Sequence, residues 1–225
     1  MREKPRTAQE LERYYRRLLE VYGPQHWWPA DSLFEITVGA ILTQNTAWRN
    51  VERAVAHLKR EGLMTPQALH QVSLKRLSET IRPSGTFRIK AGRLKAFVQF
   101  LKSEYDGDLK QMISAPPGLL RSKLLSVKGI GPETADSILL YTGDVPIFVI
   151  DAYTRRVFSR HRLVDPEASY DCLQRFFMDH LPSRSELYNE YHALLVKVGK
   201  EHCKSTPICS GCPLETYLNG KKPNI

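Results

Sequence analysis

The chain has 225 residues, 42% of them hydrophobic, and Lys plus Arg exceed Asp plus Glu by 33 to 24 for a formal charge of +9. That apolar content argues against a disordered polyelectrolyte, and the length suffices for one large domain or two small ones with a substantial core. No window approaches the roughly eighteen apolar residues of a membrane span, and the opening Met1-Arg-Glu-Lys-Pro-Arg6 lacks the apolar run of a signal peptide. A cytoplasmic protein without a membrane partner is therefore expected. Periodicity is helical almost throughout. In chain order, Tyr14, Leu18 and Val21 recur at helical spacing within Leu11–Val21, with Thr7 as a candidate cap. Phe34, Val38, Ile41 and Leu42 share one face of a helix over Leu33–Leu42. Further helices are expected near Val51–Glu61, Leu74–Ile81, Lys90–Tyr105, Tyr153–Arg162, Tyr170–His180 and Glu186–Lys200, separated by Pro/Gly clusters such as Pro83-Ser-Gly85 and Pro116-Pro-Gly118. No alternating strand pattern persists, and the apolar run Pro146–Ile150 is short enough for a buried connector.

A positive balance of this size suits a polyanion, because each phosphate contact releases condensed counterions. Charge alone decides nothing: Arg88–Lys95 and Lys221-Lys222 are equally consistent with solvated faces. A more specific signal lies in Leu119–Gly143, where an amphipathic segment ends at Val127-Lys128-Gly129-Ile130-Gly131 and a second helix opens at Pro132. Proline suits a first helical position because its missing N–H would have been an orphan. Gly129 and Gly131 permit backbone conformations closed to other residues, and with the positive helix end their bare N–H groups can hold a phosphate. Lys128 adds charge at the turn. An ordinary helix–turn–helix packing element would show the same pattern.

Eighteen positions beyond Glu133, the run Phe148-Val-Ile delivers Asp151 to the start of a helix carrying Arg155 and Arg156. Aspartate is a good N-cap, worth about 0.5–2 kcal/mol over alanine. The same placement keeps the carboxylate ionised, able to stabilise cationic sugar character or orient a water.

Together these motifs resemble the endonuclease III class of helix-hairpin-helix DNA glycosylases, over roughly Leu11–Leu218. The resemblance includes Gly39-Ala-Ile-Leu-Thr-Gln44-Asn45-Thr46, where such enzymes carry a Gln that fills the gap left by a flipped base; Gln44 and Asn45 take that role by analogy. Bifunctional members attack the sugar with a lysine in the second hairpin helix. Glu133 stands there and cannot form an imine, so the resemblance implies a monofunctional glycosylase without lyase activity. His26-Trp27-Trp28-Pro29, Ile81-Arg-Pro-Ser-Gly85 and Lys128-Gly-Ile-Gly-Pro-Glu-Thr-Ala-Asp136 are similar to the bacterial 3-methyladenine glycosylase branch. There the base lies between two aromatics, matched by Trp27 and Trp48, with Glu133 also lining the pocket and Trp28 left to packing. A tryptophan face attracts a cationic alkylated purine by ~0.5–2 kcal/mol. That branch supplies a lysine from a late helix, where this chain has Leu194.

The resemblance further implies an all-α fold of two lobes around a cleft: a six-helix lobe over 32–142 containing the hairpin, and a second lobe of 1–31 plus 143–225, with Asp151 at the cleft. The expected partner is double-stranded DNA with a damaged base, bound by a monomer. Near the C-terminus, Cys203, Cys209 and Cys212 match the first three of the four cysteines that hold a four-iron four-sulfur cluster in these relatives; the fourth should fall near Leu218. Three thiolates could hold a cluster with an open iron site or a zinc completed by His202, or stay free. Cys172, apart from them, is expected to be a buried thiol. Glycosylases for an oxidised pyrimidine or a mismatched thymine, with or without lyase activity, and a non-catalytic DNA-binding relative are the alternatives.

Overall fold

The computed structural model describes residues 4–28 and 30–224, with side chains from Arg6 onward. Met1–Glu3 of the opening segment and Pro29 of the Trp-Trp-Pro motif lie outside the described residues. Among the described residues the regular structure is entirely helical: α1 (Lys4–Tyr22), α2 (Leu33–Leu42), α3 (Trp48–Arg60), α4 (Pro66–Gln71), α5 (Leu74–Thr80), α6 (Phe87–Tyr105), α7 (Leu109–Ile113), α8 (Pro117–Ser126), α9 (Pro132–Gly143), α10 (Ala152–Arg160), α11 (Tyr170–Met178) and α12 (Ser185–Glu201), with two short 3-10 turns. The chain divides into two compact units, Trp28–Val145 and Met1–Trp27 with Pro146–Ile225.

Helix starts follow local chemistry. Ser32, Thr65, Ser73, Asp108, Asp151 and Ser169 each accept a hydrogen bond from a backbone N–H of the first turn, satisfying donors that a helix cannot satisfy internally. Asp106 and Asp144 end α6 and α9 in the left-handed conformation. The first helix begins at Lys4, so Thr7 lies inside it and does not cap it.

In the unit Trp28–Val145, α2 packs on α9 and is buried nearly all round through Phe34, Val38, Ile41 and Leu42. Among the described residues of this unit there are eight α-helices where six were expected, because Pro66 and Leu109 open short helices after their capping residues.

In the other unit, α12 packs against α10 and α1. Phe148 and Phe177 stack at 4.1 Å, with Tyr188 and Tyr191 edge-on to Phe148. The segment before Asp151 is non-helical yet buried over Ile147–Ile150. Buried backbone groups need partners, and here side chains supply them. Gln174 Nε2 donates to Phe148 O at 2.8 Å, and Ile150 N donates to the Tyr170 hydroxyl at 3.4 Å. Cys172 is exposed, against expectation. Helix α11 turns Leu173, Gln174 and Phe177 inward and leaves the intervening face to solvent.

Candidate functional site

The hairpin of the unit Trp28–Val145 consists of α8, the turn 127–131 and α9. Val127 and Ile130 anchor the turn in the core while Lys128, Gly129 and Gly131 are exposed. A buried pair locks the two helices: Arg121 Nε and Nη2 lie 2.7 and 3.0 Å from the carboxylate oxygens of Asp136, whose side chain is fully buried. Such a bidentate pair fixes orientation as well as distance. The glycines differ in role. Gly129 has φ +88° and requires glycine, whereas Gly131 has φ −97° and ψ −179°, open to any residue. What Gly131 contributes is open space beside the helix start. Glu133 is exposed in the first turn of α9.

Against this turn lies the loop that follows α2. Gln44 Nε2 donates to Gly129 O at 3.1 Å and to Thr134 Oγ1 at 2.8 Å, and Gln44 Oε1 accepts from Arg93. Asn45 is exposed with φ +52°. Trp48, the first residue of α3, stands edge-on to Trp28 at 5.0 Å, and Trp28 also rests on Tyr141 at 5.0 Å. Gly39 makes room for this, since a Cβ there would come within 3.1 Å of the Trp28 ring.

The other unit carries Asp151. Its carboxylate caps α10 by accepting from Thr154 N at 2.7 Å, and His192 Nε2 of α12 lies 3.6 Å from Oδ2. The two side chains are only 12% and 7% exposed. Burial by itself pushes the carboxyl upward; His192 and the Thr154 N–H and hydroxyl outweigh it and hold Asp151 below the usual carboxylate range. The two helices approach closely because Gly199 has no Cβ: one there would lie 2.8–2.9 Å from atoms of Tyr153. Trp27 meets His192 edge-on at 6.4 Å, and the Lys200 ammonium lies 5.6 Å over the Trp27 ring. Leu194 is fully buried. The backbone is left-handed on both sides of Trp27, at His26 (φ +46°) and Trp28 (φ +68°). For bulky residues this costs about 1–3 kcal/mol each. The result is that adjacent tryptophans serve different units.

Sequence reasoning had missed His192, Lys200 and Arg121. Helical spacing does not reveal them, because each takes its meaning from a partner at least fifteen positions away.

Cys203, Cys209 and Cys212 line one pocket with His202 and Leu218. Burial pushes the Cys209 and Cys212 thiols up, Cys212 to about 11. The residue at the fourth position, Leu218, is buried and carries no donor. Among the described residues no group of three or more metal-ligating side chains converges. The donor set is thus one short of the four thiolates such a cluster takes. Arg160 braces the segment, donating to Cys203 Sγ (3.3 Å), Lys204 O (2.5 Å) and Ser205 O (2.6 Å), and Arg156 donates to Cys203 O.

With an all-helical fold, a hairpin turn opening a helix and a capped aspartate beyond it, the class of protein is defined. Residues 38–183 match the model of the HhH-GPD superfamily of base excision DNA repair proteins, and the chain belongs to that family, in the endonuclease III class. A Methanocaldococcus jannaschii protein provisionally named a DNA repair glycosylase is 44% identical over 94% of this chain and 96% of its own length. Among solved structures, H. pylori 3-methyladenine DNA glycosylase bound to 1,N6-ethenoadenine is similar at TM-score 0.75 and 27% identity, covering 87% of this chain and 97% of that one. A non-covalent endonuclease III–DNA complex shares the fold at TM-score 0.80 and 23% identity, over 93% and 94% of the two chains. Among the described residues no helix is long and apolar enough to cross a membrane.

Proposed function

We propose that the protein is a monofunctional DNA glycosylase that hydrolyses the N-glycosidic bond of a flipped, alkylated purine such as 3-methyladenine in double-stranded DNA. The observation that carries this reading is the buried Asp151–His192 pair with Trp27 against it. A carboxylate held ionised beside a sugar stabilises oxocarbenium character as the bond lengthens and can align the attacking water. His192 and the Thr154 N–H fix its orientation. An alkylated purine leaves readily because it is already cationic, so one carboxylate and an aromatic wall suffice. Glu133, where bifunctional relatives carry lysine, supports hydrolysis without strand cleavage.

In the bound state the hairpin turn at Lys128–Gly131 and the start of α9 hold backbone phosphates. Gln44 and Asn45 occupy the emptied stack, and Trp27 is the aromatic wall beside the Asp151–His192 pair. The similarity to the H. pylori enzyme supports the alkylated-purine assignment. One observation favours a second reading: the Lys200 ammonium over Trp27 suits a base that departs as an anion, such as a mismatched thymine.

The test is base release from duplexes carrying 3-methyladenine, a G·T or G·U mispair, or an oxidised pyrimidine, comparing wild type with Asp151→Asn, before and after alkali. Release of 3-methyladenine by wild type only, with strand breaks only after alkali, is expected. Release confined to the mispairs would transfer the assignment to the second reading. A borohydride-trapped covalent adduct would overturn the monofunctional mechanism.

A further inference from the structure

One face of α6 carries two cations, Lys90 and Arg93, three positions apart, and both reach the loop after α2. Lys90 is fully buried and donates to Leu42 O at 2.8 Å and Ser84 O at 2.5 Å. Leu42 is the last residue of α2, so this carbonyl belongs to a helix end and would otherwise lack an intrahelical partner. Burial pushes the Lys90 amine down to about 8. Lys90 therefore anchors the base of the loop in the core.

Arg93 anchors its tip. The guanidinium donates to Gln44 Oε1, while the aliphatic stem crosses Gly129 at the hairpin turn. A Cβ on Gly129 would fall inside the van der Waals envelope of that stem, so the glycine is needed twice: for its positive φ and for the passage of Arg93. Gln44 uses its amide nitrogen on Gly129 O and Thr134 Oγ1, one in the turn and one in the first turn of α9. Its carboxamide is thus held from three sides, twice by the hairpin proposed to grip phosphate and once by Arg93 of α6.

We propose that Arg93 is a positioning residue that pins Gln44 to the hairpin turn, so that seating a phosphate at the hairpin and filling the vacated stack are one coupled event. The inference rests on the reading that Gln44 enters the stack. Without the pin, the loop, already left-handed at Asn45, would have to be ordered during base extrusion. Ordering side chains and backbone at that moment opposes extrusion. Binding to undamaged duplex, which needs only the hairpin, would change little.

The experiment is a double-mutant cycle of Arg93→Ala and Gln44→Ala, with Arg93→Lys and Gly129→Ala as companions. Two readouts are used: single-turnover base release, and fluorescence of 2-aminopurine placed opposite an abasic-site analogue, which reports stack filling without requiring excision. Arg93→Ala is expected to slow release about tenfold and to abolish the fluorescence change, while the Kd for undamaged duplex moves less than about threefold. In the Gln44→Ala background, Arg93→Ala should add nothing, and Gly129→Ala should reproduce its effect on fluorescence. Arg93→Lys, which keeps the charge but loses the planar fork, should recover only part. Full additivity of the two alanine variants, or a loss of duplex affinity in proportion to the loss of rate, would overturn the proposal by reducing Arg93 to a phosphate contact. Should wild type release none of the tested bases, the fluorescence cycle still decides the question.

Discussion

The hairpin region of one unit and the carboxylate region of the other are built on different principles. At the hairpin, the features proposed to meet DNA are backbone features: a positive-φ glycine, an uncrowded second glycine and the start of α9. Side chains there brace the backbone, as Arg121 does through Asp136 and Arg93 through Gln44. Around Asp151 the arrangement is reversed. The backbone is a capped helix start like several others in the chain, and its distinction comes from a side chain of α12, His192, 41 positions away. Backbone grips tolerate sequence variation and bind without base preference. Side-chain constellations set chemistry and are lost by single substitutions.

The two regions separate most sharply at Asp151. Asparagine caps a helix about as well as aspartate, so Asp151→Asn isolates the charge. It should lower single-turnover excision by about 10³-fold or more, about 4 kcal/mol of barrier, with duplex affinity nearly unchanged. An active Asp151→Asn would move the chemistry elsewhere.

The next largest effect is expected at Arg160, whose side chain is 7% exposed and satisfies a thiol and two carbonyls of the cysteine segment. Arg160→Ala should cost roughly 2–4 kcal/mol in denaturant unfolding, by removing a buried side chain together with the three hydrogen bonds it donates to the segment. Earlier proteolysis within 203–212 would localise the damage. Unchanged stability would show that the segment is held by something other than this guanidinium.

A smaller effect concerns His161, which pairs with the Tyr14 hydroxyl at 2.9 Å and is pushed by burial from 6.5 to about 4. The folded protein keeps it neutral, while the unfolded chain takes up a proton below about pH 6.5. Its contribution is therefore fully present above pH 6.5 and is lost as pH falls towards 4, a change on the order of 2–3 kcal/mol. His161→Phe should flatten the Tm profile across that window. A profile as steep as wild type's would assign the acid sensitivity to other groups.

The smallest effect sharpens the hairpin side. Lys128→Ala should reduce the salt dependence of DNA affinity by about one counterion and weaken binding uniformly across sequences. Gly131→Ala should leave the fold intact, because its backbone is extended and a Cβ meets nothing within 4 Å in the free protein. A loss of affinity without loss of stability would locate the phosphate beside that position.

What the sequence determined by itself was local. Helical periodicity placed α2 over Leu33–Leu42, and Pro132 after Gly-Ile-Gly marked the start of α9, because these signals depend on neighbours three or four residues away. Gly129 was legible for the same reason, as was Asp151 as a cap. The sequence misjudged Cys172 because burial depends on which face of α11 finds a core, and Gly131 because a glycine's φ is not written in its identity. Short α4 and α7 escaped because five or six residues carry too little periodicity. Only the tertiary structure decided which far-off residues complete each site. It set His192 beside Asp151 through the missing Cβ of Gly199, turned adjacent Trp27 and Trp28 into different units, and laid Arg93 across Gly129. Those pairings are fixed by packing between elements distant in sequence, where side-chain volume and reach decide.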